Sequence, residues 1–277
     1  MDSATEAFTA SLTTRPIAFR LGDSAHLDYI AGLVREHGLS SYEAPLPDLM
    51  AWLVRSSSGF MLDVGANTGL FTLLAAAANP AIKVCAFEPL ENVNKALRAN
   101  VALNQHLANR INVYQLGLSN TAGTFDFYET INDHGLITTS SSLELEHAQQ
   151  VGTYRKQVII TETMDGWANR LEGGRISIIK IDVEGHEYAV IEGARDTIAR
   201  NRPFITIEVL GESRVDRINE LLFERSYLDF VITPAALRQC LSVRHHADGW
   251  NHLLCPSDQV AFLLQGCREL NLGIELG

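Results

Sequence analysis

The residues with the clearest chemical meaning lie in the short segment 63–69, which reads Asp-Val-Gly-Ala-Asn-Thr-Gly. It follows the apolar residues 60–62 and precedes an Ala- and Leu-rich run. This pattern predicts a strand, a glycine turn and a helix N-terminus, where an α/β sheet holds an adenosine-containing ligand. Gly65 and Gly69 allow the backbone to turn tightly and approach that ligand. Because Asp63 adds a carboxylate at the strand end, a ligand with a cationic group is favoured over a pyrophosphate.

A second carboxylate follows 23 residues after Gly65, where the short strand ending at Phe87 leads into Glu88 and Pro89. An acid at this distance from the glycine turn accepts the two hydroxyls of a ribose. S-adenosylmethionine, which carries amino and sulfonium groups, fits the charge of Asp63 better than NAD does. The turn also differs from the G-x-G-x-x-G of dinucleotide enzymes. A methyltransferase is therefore favoured, with a dinucleotide-dependent oxidoreductase and a binding or scaffold protein as alternatives.

Two further strands end in acids. The β-branched run 176–181 is followed by Asp182, and the strand predicted over 203–209 places Glu208 near its carboxyl end. In an open parallel sheet these ends share one crevice with the ligand. We expect four carboxylates to converge there: Asp63, Glu88, Asp182 and Glu208.

The elements that position these residues alternate between strand and helix. The pattern predicts strands over 60–64, 83–87, 111–116 and 176–181, and helices over 70–78, 92–104 and 188–199. Such alternation is typical of an α/β fold with a mostly parallel sheet and helices on both faces. Residues 123–129 predict an extra edge strand, and the polar segment 130–150 predicts a mobile loop over the ligand site. Residues 226–232 and 259–264 predict a final antiparallel pair.

The chain is expected to form an N-terminal helical cap over residues 1–58 and one methyltransferase domain over residues 59–277. Its formal net charge of −11, with no run of basic residues, disfavours a nucleic-acid partner. No stretch has the length and apolarity of a membrane span, and four scattered cysteines suit a reduced compartment. We therefore expect a cytoplasmic protein with no membrane partner.

Three histidines lie between the predicted final strands: His245, His246 and His252. They lack regular spacing and neighbouring cysteines, so a solvated or core position is favoured over a metal site.

Taken together, the motifs resemble the FkbM family of S-adenosylmethionine-dependent methyltransferases. The matching residues are 63–69, Phe87-Glu88-Pro89, Gly117-Leu118-Ser119, residues 140–143, residues 163–165 and the block Ile179-Lys180-Ile181-Asp182-Val183-Glu184-Gly185-His186-Glu187, with Glu208 on the next strand. The resemblance covers roughly residues 40–210, and the block around Asp182 is its most specific part. It implies a class I, Rossmann-like methyltransferase fold and methylation of a hydroxyl on a small molecule, such as a sugar or a secondary metabolite.

The resemblance also implies the contacts of the methyl donor. Its methionine part would be surrounded by Asp63, Gly65, Asn67 and Gly69. Its ribose would be held by Glu88, with Pro89 and Asn92 beside it, and its adenine would lie near Gly117, Leu118 and Ser119. Glu43, in the segment Ser-Tyr-Glu, resembles a further position near the donor.

Methyl transfer to a hydroxyl requires a group that removes its proton. His186, just past the fourth strand, is the candidate base, and Asp182 would orient it or accept the proton itself. A second version uses Mg²⁺ held by Asp182 and Glu208, since a hard cation prefers oxygen ligands. The sequence does not separate the two versions. We expect Lys180 to pair with an acid, and Glu184 and Glu187 to be structural.

The chemical identity of the acceptor is not encoded in any motif. The loop 130–150 and the N-terminal cap are expected to shape its pocket, with Tyr42, His134, Ser140 and Ser142 as hydrogen-bonding candidates. N-methylation stays open, because an acidic crevice attracts an amine.

Overall fold

The computed structural model describes residues 6–23, 28–131, 137, 140–211 and 213–276. The chain begins with a β-hairpin formed by β1 (Glu6–Ser11) and β2 (Ala18–Asp23). The helices α1 (Tyr29–His37) and α2 (Leu46–Arg55) follow, separated by a 3₁₀ turn at Leu39–Ser41. The predicted helical cap is therefore only partly helical. Buried Ile17, Phe19 and Leu21 alternate with exposed neighbours, which is the period of a strand.

From residue 59 onward, strands and helices follow one another. In chain order they are β3 (Gly59–Val64), α3 (Leu70–Ala78), β4 (Ile82–Phe87), α4 (Glu91–Ala102), α5 (Gln105–Ala108), β5 (Ile111–Tyr114), β6 (Gly117–Leu118), β7 (Gly123–Thr130), α6 (Leu145–Val151), β8 (Tyr154–Glu162), α7 (Met164–Ala168), β9 (Ile176–Ile181), α8 (Glu187–Glu192), α9 (Arg195–Asn201), β10 (Phe204–Glu208), α10 (Asp216–Arg225), β11 (Tyr227–Ile232), β12 (Ala236–Cys240), β13 (Asn251–Pro256), α11 (Val260–Leu270) and β14 (Gly273–Glu275). A short 3₁₀ turn, Ser257–Gln259, precedes α11.

The central sheet has the order β14-β12-β11-β13-β10-β9-β3-β4-β5, and β3, β4, β5, β9 and β10 run parallel. The chain moves outward from β3 to β5 and later returns to the other side of β3 with β9 and β10. The order thus reverses between β3 and β9, and doubly wound sheets bind ligands outside the strand ends at such a point. The predicted α/β class with a mostly parallel sheet is confirmed.

Helices cover both faces of this sheet. One apolar cluster packs the hairpin, α2, α3 and α11 against one face of the sheet. A second cluster packs the four helices α7, α8, α9 and α10 against the other face. Because the hairpin and the sheet share one cluster, the N-terminal segment is anchored by burial of apolar surface. The domain boundary at residue 58 stays a prediction. Across the described ranges, no helix combines the length and the apolarity that crossing a membrane requires.

Two predicted strands differ from the structure. Residues 123–129 do form a strand, β7, but it belongs to a separate three-stranded sheet of order β6-β8-β7. Alternation identifies a strand without identifying its partner. Residues 259–264 are not a strand, because they fall largely in α11, whose buried Leu263, Gly266 and Cys267 recur at helical spacing. The antiparallel partners of β11 are β12 and β13 instead.

The helix predicted over 188–199 is also divided, into α8 and α9, at Gly193 and Ala194. Periodicity continues across such a break, so it does not reveal the interruption.

Gly266 of α11 tests the packing of the C-terminal helix against α2. A methyl group on Gly266 would lie 2.6–2.7 Å from three ring atoms of Trp52. Gly266→Ala is therefore expected to lower the free energy of unfolding by roughly 1–3 kcal/mol, as overpacked cores do. Urea unfolding of the purified variant measures this change. The matched control is Gly32→Ala in α1, which has open space around the added methyl; wild-type stability of Gly266→Ala would contradict the packing.

Candidate functional site

A cavity of about 470 Å³ opens at the carboxyl edge of the sheet, where the strand order reverses. We call it the acidic cavity, because its described lining includes five carboxylates and one ammonium group: Glu43, Asp63, Asp182, Glu184 and Glu208, with Lys180. Three of the four acids expected to converge lie here. The fourth, Glu88, lies in an adjoining groove that shares Gly65, Asn67, Asp182 and Glu184 with the cavity.

The glycine turn forms the wall between the two spaces. Gly65 has a φ of +76°, and a Cβ at this position would lie 1.8 Å from the carbonyl oxygen of Asp182. Its amide and that of Ala66 donate to the carbonyl of Phe87 at 3.1 and 3.0 Å. Asn67 and Gly69 also have positive φ, and Gly69 begins α3 without lining either space. Only glycine at position 65 allows the turn to contact the end of β9.

Asp63 is 1 % exposed and lines the acidic cavity. Its Oδ2 accepts a 2.6 Å hydrogen bond from the hydroxyl of Thr72 on α3. Its Oδ1 is buried and has no hydrogen-bond partner among the described residues. Burial raises the pKa of Asp63, although the Lys180 ammonium opposes the shift. The carboxylate therefore requires a donor that its surroundings do not supply.

Lys180 is the positive charge at the centre of the acidic cavity. Its Nζ donates to Asp182 Oδ2 at 2.8 Å and lies 4.9 Å from the centre of the Phe71 ring. Burial lowers the pKa of Lys180, but the nearby carboxylates, led by Asp182, outweigh burial and raise it above its usual range. Lys180 pairs with an acid, as the sequence suggested, and that acid is Asp182, two residues further along the chain.

The remaining carboxyls of the cavity are not neutralised in the same way. Burial, reinforced by the charge of Asp182, raises the pKa of Glu43, Glu184 and Glu208. Glu43 accepts a 3.3 Å hydrogen bond from Asn251. Glu43 therefore lies in the cavity, and Glu184, expected to be structural, lines both spaces. These groups hold protons beyond their ordinary range until positive charge enters.

The carboxyl oxygens of Asp182, Glu184 and Glu208 lie within 4.8 Å of one another. An all-oxygen set of this kind is chemically suited to a hard divalent cation. It includes Asp182 and Glu208, the two acids proposed as Mg²⁺ ligands from the sequence. However, Asp182 already accepts the Lys180 hydrogen bond, so a cation there would compete with an ammonium that is present.

The adjoining groove, which we call the Glu88 groove, has mostly apolar walls. Glu88 Oε2 accepts from the Asn67 amide at 3.1 Å, and Oε1 accepts from the Leu90 amide at 3.0 Å. Burial raises the pKa of Glu88 to about 7, although these amides oppose the shift. Its walls include Pro89, Gly117 and Leu118, as expected from the sequence, and also Val93, Phe127, Leu143 and Ile159. The groove can therefore hold a flat apolar group beside a hydrogen-bonding acid.

Two residues expected beside the donor have side chains that are engaged by other residues. Asn92 donates to Glu129 at 3.1 Å, and Glu129 also accepts from Arg155 and Gln157. Ser119 is buried and bonds His186, and neither Asn92 nor Ser119 lines the Glu88 groove.

His186 has both ring nitrogens engaged. Nε2 lies 2.9 Å from Ser119 Oγ, and Nδ1 lies 2.6 Å from Glu144 Oε1. The ring lines the Glu88 groove and not the acidic cavity. The structure therefore does not bring His186 together with Glu208. Glu187 is structural, as expected, because its Oε1 accepts from the amides of Val183 and Gly185.

The polar segment expected to cover the ligand site does reach it. Residues 132–136, which include His134, and 138–139 lie outside the described residues. Ser141 and Leu143 line the Glu88 groove, the Ser142 hydroxyl donates to the Glu184 carbonyl at 2.6 Å, and α6 follows. Ser140 lines neither the groove nor the acidic cavity. Together with Glu144, Ser142 fastens this segment to the turn after β9.

The C-terminal histidines follow the expectation of core or surface positions. His252 is fully buried on β13 and lies 2.8 Å from Asp229, while His245 Nδ1 lies 2.9 Å from the Val209 carbonyl.

Sequence reasoning missed Tyr29, Trp250 and Asn251, which line the acidic cavity. Tyr29 lies far from Trp250 and Asn251 in the chain, and all three lie outside any motif, so no local signal identifies them.

More than half of the chain matches the sequence model of a known protein family. The model of the methyltransferase FkbM domain matches residues 63–229. Methyltransferase sdnD from Sordaria araneosa is 31% identical over 160 residues, which span 50% of this chain and 61% of that protein. AMB antimetabolite synthetase AmbE from Pseudomonas aeruginosa is 28% identical over 209 residues, spanning 61% of this chain and 10% of the synthetase. The chain thus covers less than two thirds of either relative.

Among solved structures, methyltransferase FkbM from Methylobacillus flagellatus KT is similar at a TM-score of 0.46 and 19% identity, covering 71% of this chain and 43% of that one.

The raised pKa values predict a pH-dependent stability. Above the ordinary glutamate pKa of 4.5, Glu208 is ionised in the unfolded chain but still protonated in the folded protein. Its contribution to the free energy of unfolding therefore decreases as pH rises. Glu208→Gln is expected to make the decrease between pH 5 and 9 shallower, by up to about 1.4 kcal/mol per pH unit. Urea unfolding across this range measures the slope. Glu91→Gln, an exposed acid, should leave the slope unchanged; parallel slopes for Glu208→Gln and wild type would contradict the assignment.

Proposed function

Because the chain belongs to the FkbM methyltransferase family, we propose that it transfers the methyl group of S-adenosylmethionine to a hydroxyl group of a small molecule. The observation that carries the proposal is the junction of two unlike spaces at one sheet edge. The Glu88 groove is apolar and has one acid, whereas the acidic cavity contains Asp63 with an unpaired oxygen. A nucleoside bearing a cationic amino-acid arm matches both.

In this proposal Glu88 accepts the ribose hydroxyls, and the adenine lies against Pro89 and Leu118. The donor's amino group reaches Asp63 Oδ1 across the Gly65 turn. The amino group supplies the donor that Asp63 Oδ1 lacks. Glu88 already accepts two backbone amides, and its oxygens have further lone pairs for the ribose hydroxyls. A dinucleotide is disfavoured, because its pyrophosphate would face the carboxylates of the cavity.

The bound donor supplies an electrophilic methyl carbon on sulfur for in-line displacement. The protein must then hold the acceptor oxygen in line with this carbon and take its proton. We assign the proton to a carboxylate of the acidic cavity, Glu208 or Asp182. Glu208 is the stronger candidate once the positive charge of the bound donor has released the proton that it retains, because Asp182 is engaged by Lys180. His186 is the weaker one, because Ser119 and Glu144 occupy its nitrogens.

Two finer alternatives have support of their own. An amine acceptor suits the acidic lining, so N-methylation is the second candidate function.

Mg²⁺ at Asp182, Glu184 and Glu208 would polarise the acceptor oxygen when bound. We favour the metal-free version, because Lys180 already supplies positive charge at Asp182. Turnover that is unchanged by EDTA supports it, and turnover that requires added Mg²⁺ would replace it.

Calorimetric titration with S-adenosylmethionine, and in parallel with NAD, tests the donor. Binding of the methyl donor without NAD binding is the expected result, and the reverse would overturn the proposal.

Glu88→Gln should weaken donor affinity at least about tenfold, because an amide cannot accept the ribose hydroxyls as a carboxylate does. Glu91→Gln, three residues along and exposed, is the matched control. Equal affinity of Glu88→Gln and wild type would remove the ribose assignment.

The base assignment is tested by steady-state kinetics once an acceptor is found. Glu208→Gln should lower kcat by about 100-fold or more while donor affinity is retained. His186→Gln should lower kcat much less. A large loss in His186→Gln together with near-normal turnover in Glu208→Gln would return the role to the histidine.

A further inference from the structure

The acidic cavity has two chemically different sides. The carboxylates of its lining, which we call the floor, lie mainly at strand ends, whereas Tyr29 and Trp250 are half exposed to solvent. These two aromatic side chains, which we call the aromatic rim, are 50% and 53% exposed. Ile30, Leu33 and Phe71 complete the apolar wall. Aromatic rings that remain half exposed to water are solvated poorly, and so are acids that are withdrawn from water. The two together are typical of a ligand-binding surface.

The charge of the floor exceeds what the proposed donor can neutralise. The donor carries an ammonium, a sulfonium and a carboxylate group, so it adds one net positive charge. Lys180 adds another, against five carboxylates. Asp63 has the unpaired Oδ1 that the donor's amino group would fill, and it lies 1 % exposed. Glu43, which accepts a hydrogen bond from Asn251 beside Trp250, remains for the charge of the acceptor, and Glu208 remains for its hydroxyl proton.

We propose, on the basis of the proposed function, that the acceptor is an amino alcohol on an apolar body: a protonated amine that lies beside Glu43, with the body against the aromatic rim. Carboxylates and aromatic faces both attract an ammonium group, and a cavity that excludes bulk water strengthens both attractions. An amine that is held as its cation has no lone pair with which to attack the methyl carbon. The methylated atom is therefore a hydroxyl elsewhere in the same molecule.

The transfer balances without a further reactant. The acceptor hydroxyl oxygen forms the new bond to the methyl carbon, and the carbon–sulfur bond breaks with its electron pair going to sulfur. The products are a methyl ether and S-adenosylhomocysteine. The hydroxyl proton goes to a cavity carboxylate and then to solvent, while the ammonium group is unchanged.

The experiment uses the full chain saturated with S-adenosylhomocysteine, so that the donor site is filled and no turnover occurs. Three probes of similar shape are titrated by calorimetry: phenethylamine as the cation, 2-phenylethanol as the neutral molecule and phenylacetate as the anion. The amine should bind at least tenfold more tightly than the alcohol, with the anion weakest, and added salt should reduce the difference. Equal or tighter binding of the alcohol would overturn the inference.

A variant pair localises the charge effect. Glu43→Gln keeps the side-chain shape and is expected to weaken phenethylamine binding about tenfold while leaving 2-phenylethanol binding unchanged. Glu36→Gln removes an exposed acid of α1 and should change neither. If both variants weaken amine binding equally, the attraction belongs to the whole surface and the cavity assignment is wrong. If Glu43→Gln does not fold, the comparison of the three probes on the wild-type protein still decides.

The two levels of proposal fail separately. Absence of S-adenosylhomocysteine binding would contradict the proposed function itself. Normal binding of S-adenosylhomocysteine without any preference for the amine would leave methyl transfer standing and reject only the cationic acceptor.

Discussion

The arrangement of this site depends on one buried ammonium group. Lys180 lies in the middle of an apolar strand, and its Nζ contacts Asp182 where several acids meet at the sheet edge. Buried carboxylates are unstable without compensating charge or hydrogen bonds. Lys180 compensates part of this charge and leaves the rest exposed to the cavity. The fold therefore tolerates an acidic site, which a cationic ligand completes in the proposed function.

The close approach of two backbones divides the site. Gly65 lies against the Asp182 carbonyl, so the turn after β3 and the end of β9 form a single thin wall. On one side, the Glu88 groove is lined by apolar residues, and on the other, the acidic cavity is lined by charge. A ligand that spans the wall meets a hydrophobic and an electrostatic environment within one molecule. Such a division favours transfer from one bound molecule to another.

His186 illustrates how a residue suited to catalysis can have another task. Its ring bridges Ser119, which follows β6, and Glu144, which precedes α6. The Ser142 hydroxyl and the Glu184 carbonyl make a second connection nearby. These contacts join the polar segment over the Glu88 groove to the turn after β9. A histidine held at both nitrogens orients its neighbours and has less freedom to exchange a proton.

The sequence by itself determined the features that are local: the glycine turn, the acids at the ends of β3, β4, β9 and β10, and the family. These depend on residue type at fixed spacing along one or two elements, which a linear pattern retains. The hairpin at the N-terminus and α11 were misread, because short apolar runs fit more than one period. Only the tertiary structure brought Tyr29 and Trp250 into the lining of one cavity and occupied both nitrogens of His186. Such contacts join distant segments through packing, and no local spacing encodes them.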